Sequence, residues 1–249
     1  IRGPIGFDAN CDEYCSIEGV KRSISEAMSS SPELLIIEID SPGGSVQEMS
    51  KIVDEIQAVD CRVVAWVNDG LSAAAVIAMA CPEIVLSPNG RIGAAVPWTV
   101  GPEGTPELIE EKFESAIRAE FRRAARSGGH SENLVLGMMD AEIQLVLVNE
   151  DGSKRVKLLS ESPDGKLIKG SGKILTLTGV EAVDCGLAMG LASTLDELRE
   201  TLGIDAWYET TSRSRFVARN VARSEQREYQ RAKEIEETRL RRQALVERY

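Results

Sequence analysis

Short runs of consecutive apolar residues alternate with longer segments whose apolar positions recur every three or four residues. The three runs are residues 34–40, 62–67 and 84–86. Between them, residues 46–56 place their apolar side chains on one helical face, and residues 73–80 are almost entirely apolar. A continuous apolar run bounded by turn residues is typical of a strand buried in a parallel sheet. The pattern therefore predicts strand–helix units and an α/β core.

The remaining elements follow from the same reasoning. Ser16–Met28 has one apolar helical face, and a longer helix is expected over residues 106–127, after a Gly- and Pro-rich loop at 97–106. Residues 87–90 predict a turn. We further predict a hairpin around residues 149–152 and a strand at 175–177. Two capping boxes are expected, Thr178 with Glu181 and Thr194 with Glu197, and a charged helix begins at about Arg213.

The charge of the chain is unevenly distributed. The net charge is −11, but residues 213–249 contain 11 basic and 6 acidic side chains, a balance of +5, which leaves −16 for the rest. An acidic body argues against nucleic acid as a ligand. We therefore expect a domain over residues 1–205 and an arginine-rich helical extension over 206–249, either solvated or in contact with an acidic surface.

Cysteine and histidine usage shows no zinc pattern. The five cysteines lack paired CxxC spacing, and the chain has a single histidine. Cys61 and Cys81 lie in apolar contexts that predict burial, whereas Cys11 and Cys15 would pair only in an oxidising compartment. No apolar run approaches the roughly 18 residues that a membrane span requires. Because the chain begins at Ile1, we expect a processed form or a fragment.

Ser72 is the candidate nucleophile. It follows the second predicted strand and precedes the apolar helix, while Gly43 and Gly44 follow the first strand. The carboxyl ends of parallel strands are where α/β proteins bind ligands. Glycine allows close approach to a peptide N–H, so Gly43, Gly44 and the N–H of Ala73 are candidate donors to an oxyanion. The alternative is an ordinary tight turn followed by an ordinary helix cap.

The base that would activate Ser72 is not expected to be imidazole. His130 lies in a Gly- and Ser-rich segment that predicts an exposed loop, and no aspartate lies between Ser72 and His130, which argues against an α/β-hydrolase triad. Lys112 is the candidate base in the long helix, provided that desolvation lowers its pKa. The alternative for Lys112 is a solvated charge on an amphipathic helix.

The segments that carry these residues resemble those of a known superfamily. Residues 37–46, Ile-Glu-Ile-Asp-Ser-Pro-Gly-Gly-Ser-Val, resemble the strand and glycine turn of Clp-type proteases and signal peptide peptidase A. Residues 91–97 resemble the segment that bears the Clp histidine, although Ala95 occupies its place. Ile92-Gly93-Ala94-Ala95 followed by proline is instead similar to NfeD-type membrane-bound serine proteases, and the resemblance covers residues 1 to about 204.

The resemblance implies a Clp/crotonase-like spiral of β-β-α units with an appended C-terminal helix. It implies an ATP-independent serine endopeptidase with a Ser72–Lys112 dyad, an oxyanion hole at Gly43, Gly44 and Ala73, and no metal or cofactor. It further implies a protein or peptide substrate, namely apolar segments of a membrane-associated protein such as a stomatin-like protein. It also implies a homo-oligomer and a membrane-associated parent protein whose protease domain lies outside the cytoplasm.

Two other functions remain open on the sequence. One is a crotonase-type enzyme acting on an acyl-CoA thioester, which would hold the thioester carbonyl in the same oxyanion hole and requires a carboxylate base near the glycines. The other is a non-catalytic scaffold of the same fold, in which Ser72 is a helix cap. Ala74 and Ala75 stand where the protease family has a glycine and a small or hydroxylated residue.

Overall fold

The computed structural model describes residues 1–9, 11, 13–100, 105–209 and 212–246. The helices are α1 (Ile17–Met28), α2 (Val46–Gln57), α3 (Ala73–Met79), α4 (Glu111–Ser127), α5 (Glu132–Met139), α6 (Gly179–Asp184), α7 (Leu195–Thr201) and α8 (Ser212–Val246). The strands are β1 (Leu34–Ser41), β2 (Arg62–Leu71), β3 (Glu83–Gly93), β4 (Trp98–Val100), β5 (Pro106–Leu108), β6 (Leu145–Glu150), β7 (Ser153–Leu158), β8 (Lys166–Lys169), β9 (Thr176–Thr178) and β10 (Gly190–Leu191).

The central sheet has the order β1-β2-β3-β10, with all neighbours parallel, and β9 pairs antiparallel with the end of β3. Alternate residues of β2 point to opposite faces, as strand geometry requires. Val63, Ala65 and Val67 belong to the large core with α2, α3, α4 and α5, whereas Val64 and Trp66 pack with Leu198 of α7. The predicted α/β core with an appended C-terminal helix is confirmed.

Local sequence signals place several element boundaries correctly. Ser16 and Ser45 cap α1 and α2 through their side-chain oxygens, and Thr178 with Glu181 forms the predicted capping box of α6. Thr194 also caps its helix, but Glu197 accepts from the N–H of Ser193 rather than from the cap residue. The predicted hairpin is formed by β6 and β7.

Two predicted boundaries are wrong. Residues 87–90 do not form a turn, because β3 continues through them to Gly93 beside a register shift in β2. The long helix begins at Glu111 rather than at residue 106, because Pro106–Leu108 pairs antiparallel with Trp98–Val100. Part of the loop expected at 97–106 is therefore a hairpin, and residues 101–104 lie outside the described ranges.

The first half of α8 packs along α1 and the N-terminal segment. Ser23 of α1 donates to the carbonyl of Ser214, and Tyr14 donates to the carbonyl of Ala222 at 2.9 Å. Farther along, α8 exposes Ile235 and Leu240. Over the described ranges, no helix of the protein is both long and apolar enough to cross a bilayer.

Candidate functional site

Three strand ends meet at one edge of the central sheet. Ser41 at the end of β1 is in register with Gly70 of β2, and Leu71 at the end of β2 is in register with Gly93 of β3. The turn after β1, the start of α3 after β2 and the segment after β3 therefore lie side by side. This is the edge where open α/β sheets bind ligands.

Ser72 has a strained backbone at this edge. Its φ is 55° and its ψ is −126°, a combination that residues with a side chain rarely adopt. Its N–H donates to the carbonyl of Gly93 at 2.8 Å, which fixes the turn from β2 into α3. Ser72 occupies the N-cap position of α3, but its hydroxyl makes no capping hydrogen bond. The side chain is half-buried, so the hydroxyl is neither used by the helix nor sealed in the core.

Gly43 lies directly against Ser72. Its φ is +97°, and a Cβ at this position would lie 2.5 Å from the Cβ of Ser72 and 3.1 Å from the N of Ala73. Only glycine permits this contact, because any side chain would overlap the serine. The structure thus brings three of the predicted site residues together: Gly43, Ser72 and Ala73. The N–H of Gly43 donates to the hydroxyl of Ser41 at 3.1 Å, a partner that the sequence analysis did not identify.

Gly44 is held by the start of the chain. The N–H of Ile5 donates to the carbonyl of Gly43, and the carbonyl of Ile5 accepts from the N–H of Ser45, both at 2.8 Å. A Cβ on Gly44 would lie 2.1 Å from the carbonyl oxygen of Ile5. The peptide groups on both sides of Gly44 are therefore fixed by a segment about 40 residues away in sequence. No local pattern could have identified Ile5, because the contact exists only in the folded chain.

Lys112 is the second residue of α4, and its position along the helix follows from the pairing of α4 with α2. Ser50 donates to Glu120 at 2.6 Å, and Asp54 accepts from Arg123 at 2.8 Å. The two helices thus run in the same direction with an offset of about 70 residues. Lys112 lies about two turns before Glu120, at the end of α4 beside the start of α2 and the glycine turn.

The side chain of Lys112 is exposed in the single chain. Its Nζ lies 5.8 Å from the centroid of the Phe113 ring, which is itself 54% exposed. No hydrogen bond joins Lys112 to Ser72 within the part of the chain that the structure describes. The structure therefore does not bring the Lys112 amine together with Ser72.

His130 is not exposed, contrary to the sequence-based expectation. Its Nε2 lies 2.8 Å from the carbonyl oxygen of Cys81, and burial lowers the pKa of the imidazole, with the Cys81 hydrogen bond opposing this effect. Cys81 follows α3, whereas Ser72 precedes it, so the imidazole lies roughly 13 Å away along a helix that rises 1.5 Å per residue. Ala95, in the place of the Clp histidine, is buried. Within one chain, His130 is therefore too far from Ser72 to act as its base.

The cysteines form no disulfide in this fold. All five are free thiols, including Cys11 and Cys15. Cys81 is fully buried, and burial raises its pKa to about 12, so it stays a neutral thiol. Cys61 is only partly buried, which corrects the expectation that both Cys61 and Cys81 lie in the core. No group of three potential metal-ligating side chains comes together among the described residues.

The chain is similar in sequence to NfeD1b proteins. The sequence model of the NfeD1b N-terminal domain matches residues 13–164. The chain is also 28% identical over 187 residues to membrane protein NfeD1b of Bacillus subtilis (strain 168), an alignment that covers 75% of this chain and 38% of the relative. This chain therefore corresponds to well under half the length of that curated relative.

Two solved structures share the fold. A serine-to-alanine mutant of the 1510-N membrane-bound stomatin-specific protease has a TM-score of 0.59 at 21% identity, covering 81% of this chain and 81% of that one. A lysine-to-alanine mutant of the same protease, in complex with a substrate peptide, has a TM-score of 0.57 at 19% identity, covering 84% and 87%. The likeness confirms the predicted Clp/crotonase-like fold class.

Proposed function

This chain belongs to the NfeD1b N-terminal domain family, and from that membership we propose that it is an ATP-independent serine endopeptidase with Ser72 as nucleophile. The observation that carries the proposal is the pairing of Ser72 with Gly43. Ser72 has a φ of 55°, and its hydroxyl makes no capping hydrogen bond to α3. The backbone of Gly43 packs directly against it. Backbone strain of this kind persists where the surrounding fold enforces it, and it is concentrated at active sites.

The proposed reaction is acyl transfer without metal or nucleotide. The Oγ of Ser72 attacks the peptide carbonyl, and the neutral amine of Lys112 takes the hydroxyl proton. The N–H groups of Gly43 or Gly44 and of Ala73 stabilise the oxyanion of the tetrahedral intermediate. Lys112 then protonates the leaving amine, and a water molecule hydrolyses the acyl-serine. For Gly43 to act, its N–H must leave the Ser41 hydroxyl, to which it donates at 3.1 Å in the resting chain.

Lys112 can serve as a base only when it is desolvated, because a solvated ammonium keeps its proton at neutral pH. In the single chain its side chain is exposed, and its Nζ lies 5.8 Å from the centroid of the exposed Phe113 ring. We propose that an apolar substrate segment or a second copy of the chain covers this surface and moves the amine onto Ser72. The exposed Phe113 ring beside the lysine favours such a cover, since the ring loses water when the cover binds.

The substrate class follows from the relatives. NfeD1b of Bacillus subtilis is a membrane protein, and the structural neighbours are described as stomatin-specific and as binding a substrate peptide. We propose that this chain cleaves apolar segments of a membrane-associated protein of the stomatin-like kind. The same proposal includes a homo-oligomer and a parent protein at a membrane, with this domain outside the cytoplasm.

A fluorophosphonate probe tests the proposal directly, because it reacts with an activated serine hydroxyl. The wild type should be labelled, Ser72→Ala should not, and Lys112→Ala should react roughly 100-fold more slowly, as expected for loss of a general base. Ser153→Ala and Lys51→Ala, which alter exposed residues away from the site, are the matched controls and should react like the wild type. Labelling of Ser72→Ala at the wild-type rate would eliminate Ser72 as the nucleophile.

A non-catalytic scaffold is the second candidate, and the resting position of Lys112 favours it. The ammonium lies against Phe113 rather than against the serine, and the Gly43 N–H is already occupied by Ser41. A scaffold would leave the wild type unlabelled in every oligomeric state and in the presence of apolar peptides. The same labelling experiment therefore separates the two candidates.

A further inference from the structure

The arginine-rich helix α8 makes specific buried contacts with the N-terminal segment through one carboxylate. Glu225 accepts hydrogen bonds from the hydroxyl of Tyr14 at 2.8 Å and from the hydroxyl of Ser16 at 3.0 Å. Tyr14 is 6% exposed and Ser16 is 7% exposed. Hydrogen bonds to an ionised acceptor are about twice as strong as neutral ones, so this carboxylate fixes the segment from Tyr14 to Ser16 against α8.

The residue between those two hydroxyls holds the start of the chain. The N–H of Cys15 donates to the carbonyl of Pro4, and its carbonyl accepts from the N–H of Gly6, both at 2.8 Å. Ile5 lies between these two bonds, and it is the residue that brackets Gly44. The contacts of Glu225 are therefore linked to the glycine turn through two adjacent backbone segments.

The contacts that start at Glu225 end at the glycine turn, Gly43–Gly44. Ile5 bonds to the carbonyl of Gly43 and to the N–H of Ser45, while Gly43 packs against Ser72. A second link runs in parallel, since Glu48 in the first turn of α2 accepts from the N–H of Ile17 at 2.7 Å. Movement of the Tyr14–Ser16 segment would thus be transmitted to the backbone that faces the serine.

We propose that Glu225 is a positioning residue for the reaction at Ser72, setting the Gly43–Gly44 turn through Tyr14, Ser16 and Ile5. The proposal rests on the proposed function, because the turn is there assigned to oxyanion binding. It gives α8 a role in the site that its charge pattern does not suggest. Displacing catalytic donors by about 1 Å can slow an enzyme as much as 100-fold, so a small shift of the turn suffices.

The decisive variants are Glu225→Ala and Tyr14→Phe. The first removes the Glu225 acceptor of the Ser16 hydroxyl and leaves the Tyr14 hydroxyl with the Ala222 carbonyl as its acceptor. The second removes the Tyr14 hydroxyl while keeping the ring, which packs on Phe7 with centroids 5.3 Å apart. Glu225→Gln keeps one acceptor oxygen and serves as the conservative variant. Glu228→Ala, an exposed carboxylate one turn farther along α8, is the matched control.

Two measurements are made on the full chain. Cleavage of an internally quenched peptide rich in Leu, Val and Phe gives kcat and KM, and hydrogen exchange follows the amides of residues 43–48 against those of β3. We expect Glu225→Ala to lower kcat roughly 10-fold with KM unchanged. It should speed exchange in residues 43–48 and in the N-terminal segment that links them to Glu225, but not in β3. Tyr14→Phe should show a smaller effect in the same direction, Glu225→Gln should recover most of kcat, and Glu228→Ala should match the wild type.

Unchanged exchange at residues 43–48 in Glu225→Ala would overturn the proposal, as would a fall in thermal midpoint with an unchanged kcat for the folded enzyme. Failure of the proposed function is distinguishable from these results. In that case the wild type itself neither cleaves the peptide nor reacts with a fluorophosphonate. The exchange rates then decide by themselves whether Glu225 sets the conformation of the turn.

Discussion

At the scale of single residues, the site is a matter of backbone conformation more than of side-chain chemistry. Ser72 and Gly43 both have positive φ, and they touch. The backbone conformation of Ser72 is costly for a residue with a Cβ. It persists because the Gly93 carbonyl holds the Ser72 N–H and the buried helix α3 begins directly after Ser72. The sequence supplied the residue types, and the fold imposed the strain.

Gly43→Ala should disrupt the site and the fold together. The new methyl group would lie 2.5 Å from Ser72 and 2.7 Å from the carbonyl oxygen of Leu71, in addition to the cost of positive φ. We expect a loss of about 3 kcal/mol in the free energy of unfolding and no fluorophosphonate labelling. Gly129→Ala is the control, because φ is +79° there but nothing lies within 4 Å. Gly129→Ala should lower the free energy of unfolding by about 1 kcal/mol and leave labelling intact. If urea titrations give equal losses for Gly43→Ala and Gly129→Ala, steric overlap with Ser72 and Leu71 is not the cause.

At the scale of elements, helix starts decide where the site residues lie. Ser45 ends the glycine turn and caps α2, with its Oγ accepting from the N–H of Glu48 at 3.2 Å. The parallel pairing of α2 with α4 then carries Lys112 to the same end of the molecule. The sequence predicted α2 and its cap well because apolar spacing and a capping serine are local signals. It misplaced the start of α4 because pairing of β4 with β5 is a contact between two segments.

Ser45→Ala should destabilise the protein by about 1 kcal/mol, the usual cost of removing an N-cap side chain. Ser131 occupies the same position at the start of α5 but makes no capping bond, so Ser131→Ala should cost well under half as much. Urea unfolding of both variants gives the comparison. If the two losses are equal, the capping bond of Ser45 is not what stabilises the start of α2.

At the scale of the whole molecule, the single histidine of the chain links the ends of two helices. His130 follows α4 and reaches the Cys81 carbonyl beyond α3, which ties the two helices together at the end away from Ser72. α8 joins the fold through α1 and the N-terminal segment. The division of the chain at residue 205 stays a prediction, since α8 contributes contacts to the body as well as an exposed extension.

His130 should make stability depend on pH near neutrality. Burial lowers its folded-state pKa below the ordinary 6.5, so the unfolded chain takes up a proton first as the pH falls. The stabilisation is therefore complete above pH 6.5 and is lost as the pH falls through that value toward the folded pKa. Relative to His130→Gln, the wild type should lose free energy of unfolding as the pH falls through about 6.5. NMR titration of the single imidazole checks the sign, and a midpoint at or above 6.5 would contradict it.

The sequence by itself determined the buried parallel strands, the capped helices and the placing of Gly43, Ser72 and Ala73 at one sheet edge, because hydrophobic periodicity, caps and glycine turns are local properties. Only the tertiary structure decided how those residues meet. In the folded chain Gly43 packs against Ser72, and Ile5 forms hydrogen bonds on both sides of Gly44. His130 is partly buried against the Cys81 carbonyl, and Lys112 is exposed. These outcomes depend on contacts between segments tens of residues apart, whose geometry is set by packing and hydrogen-bond satisfaction rather than by local propensity.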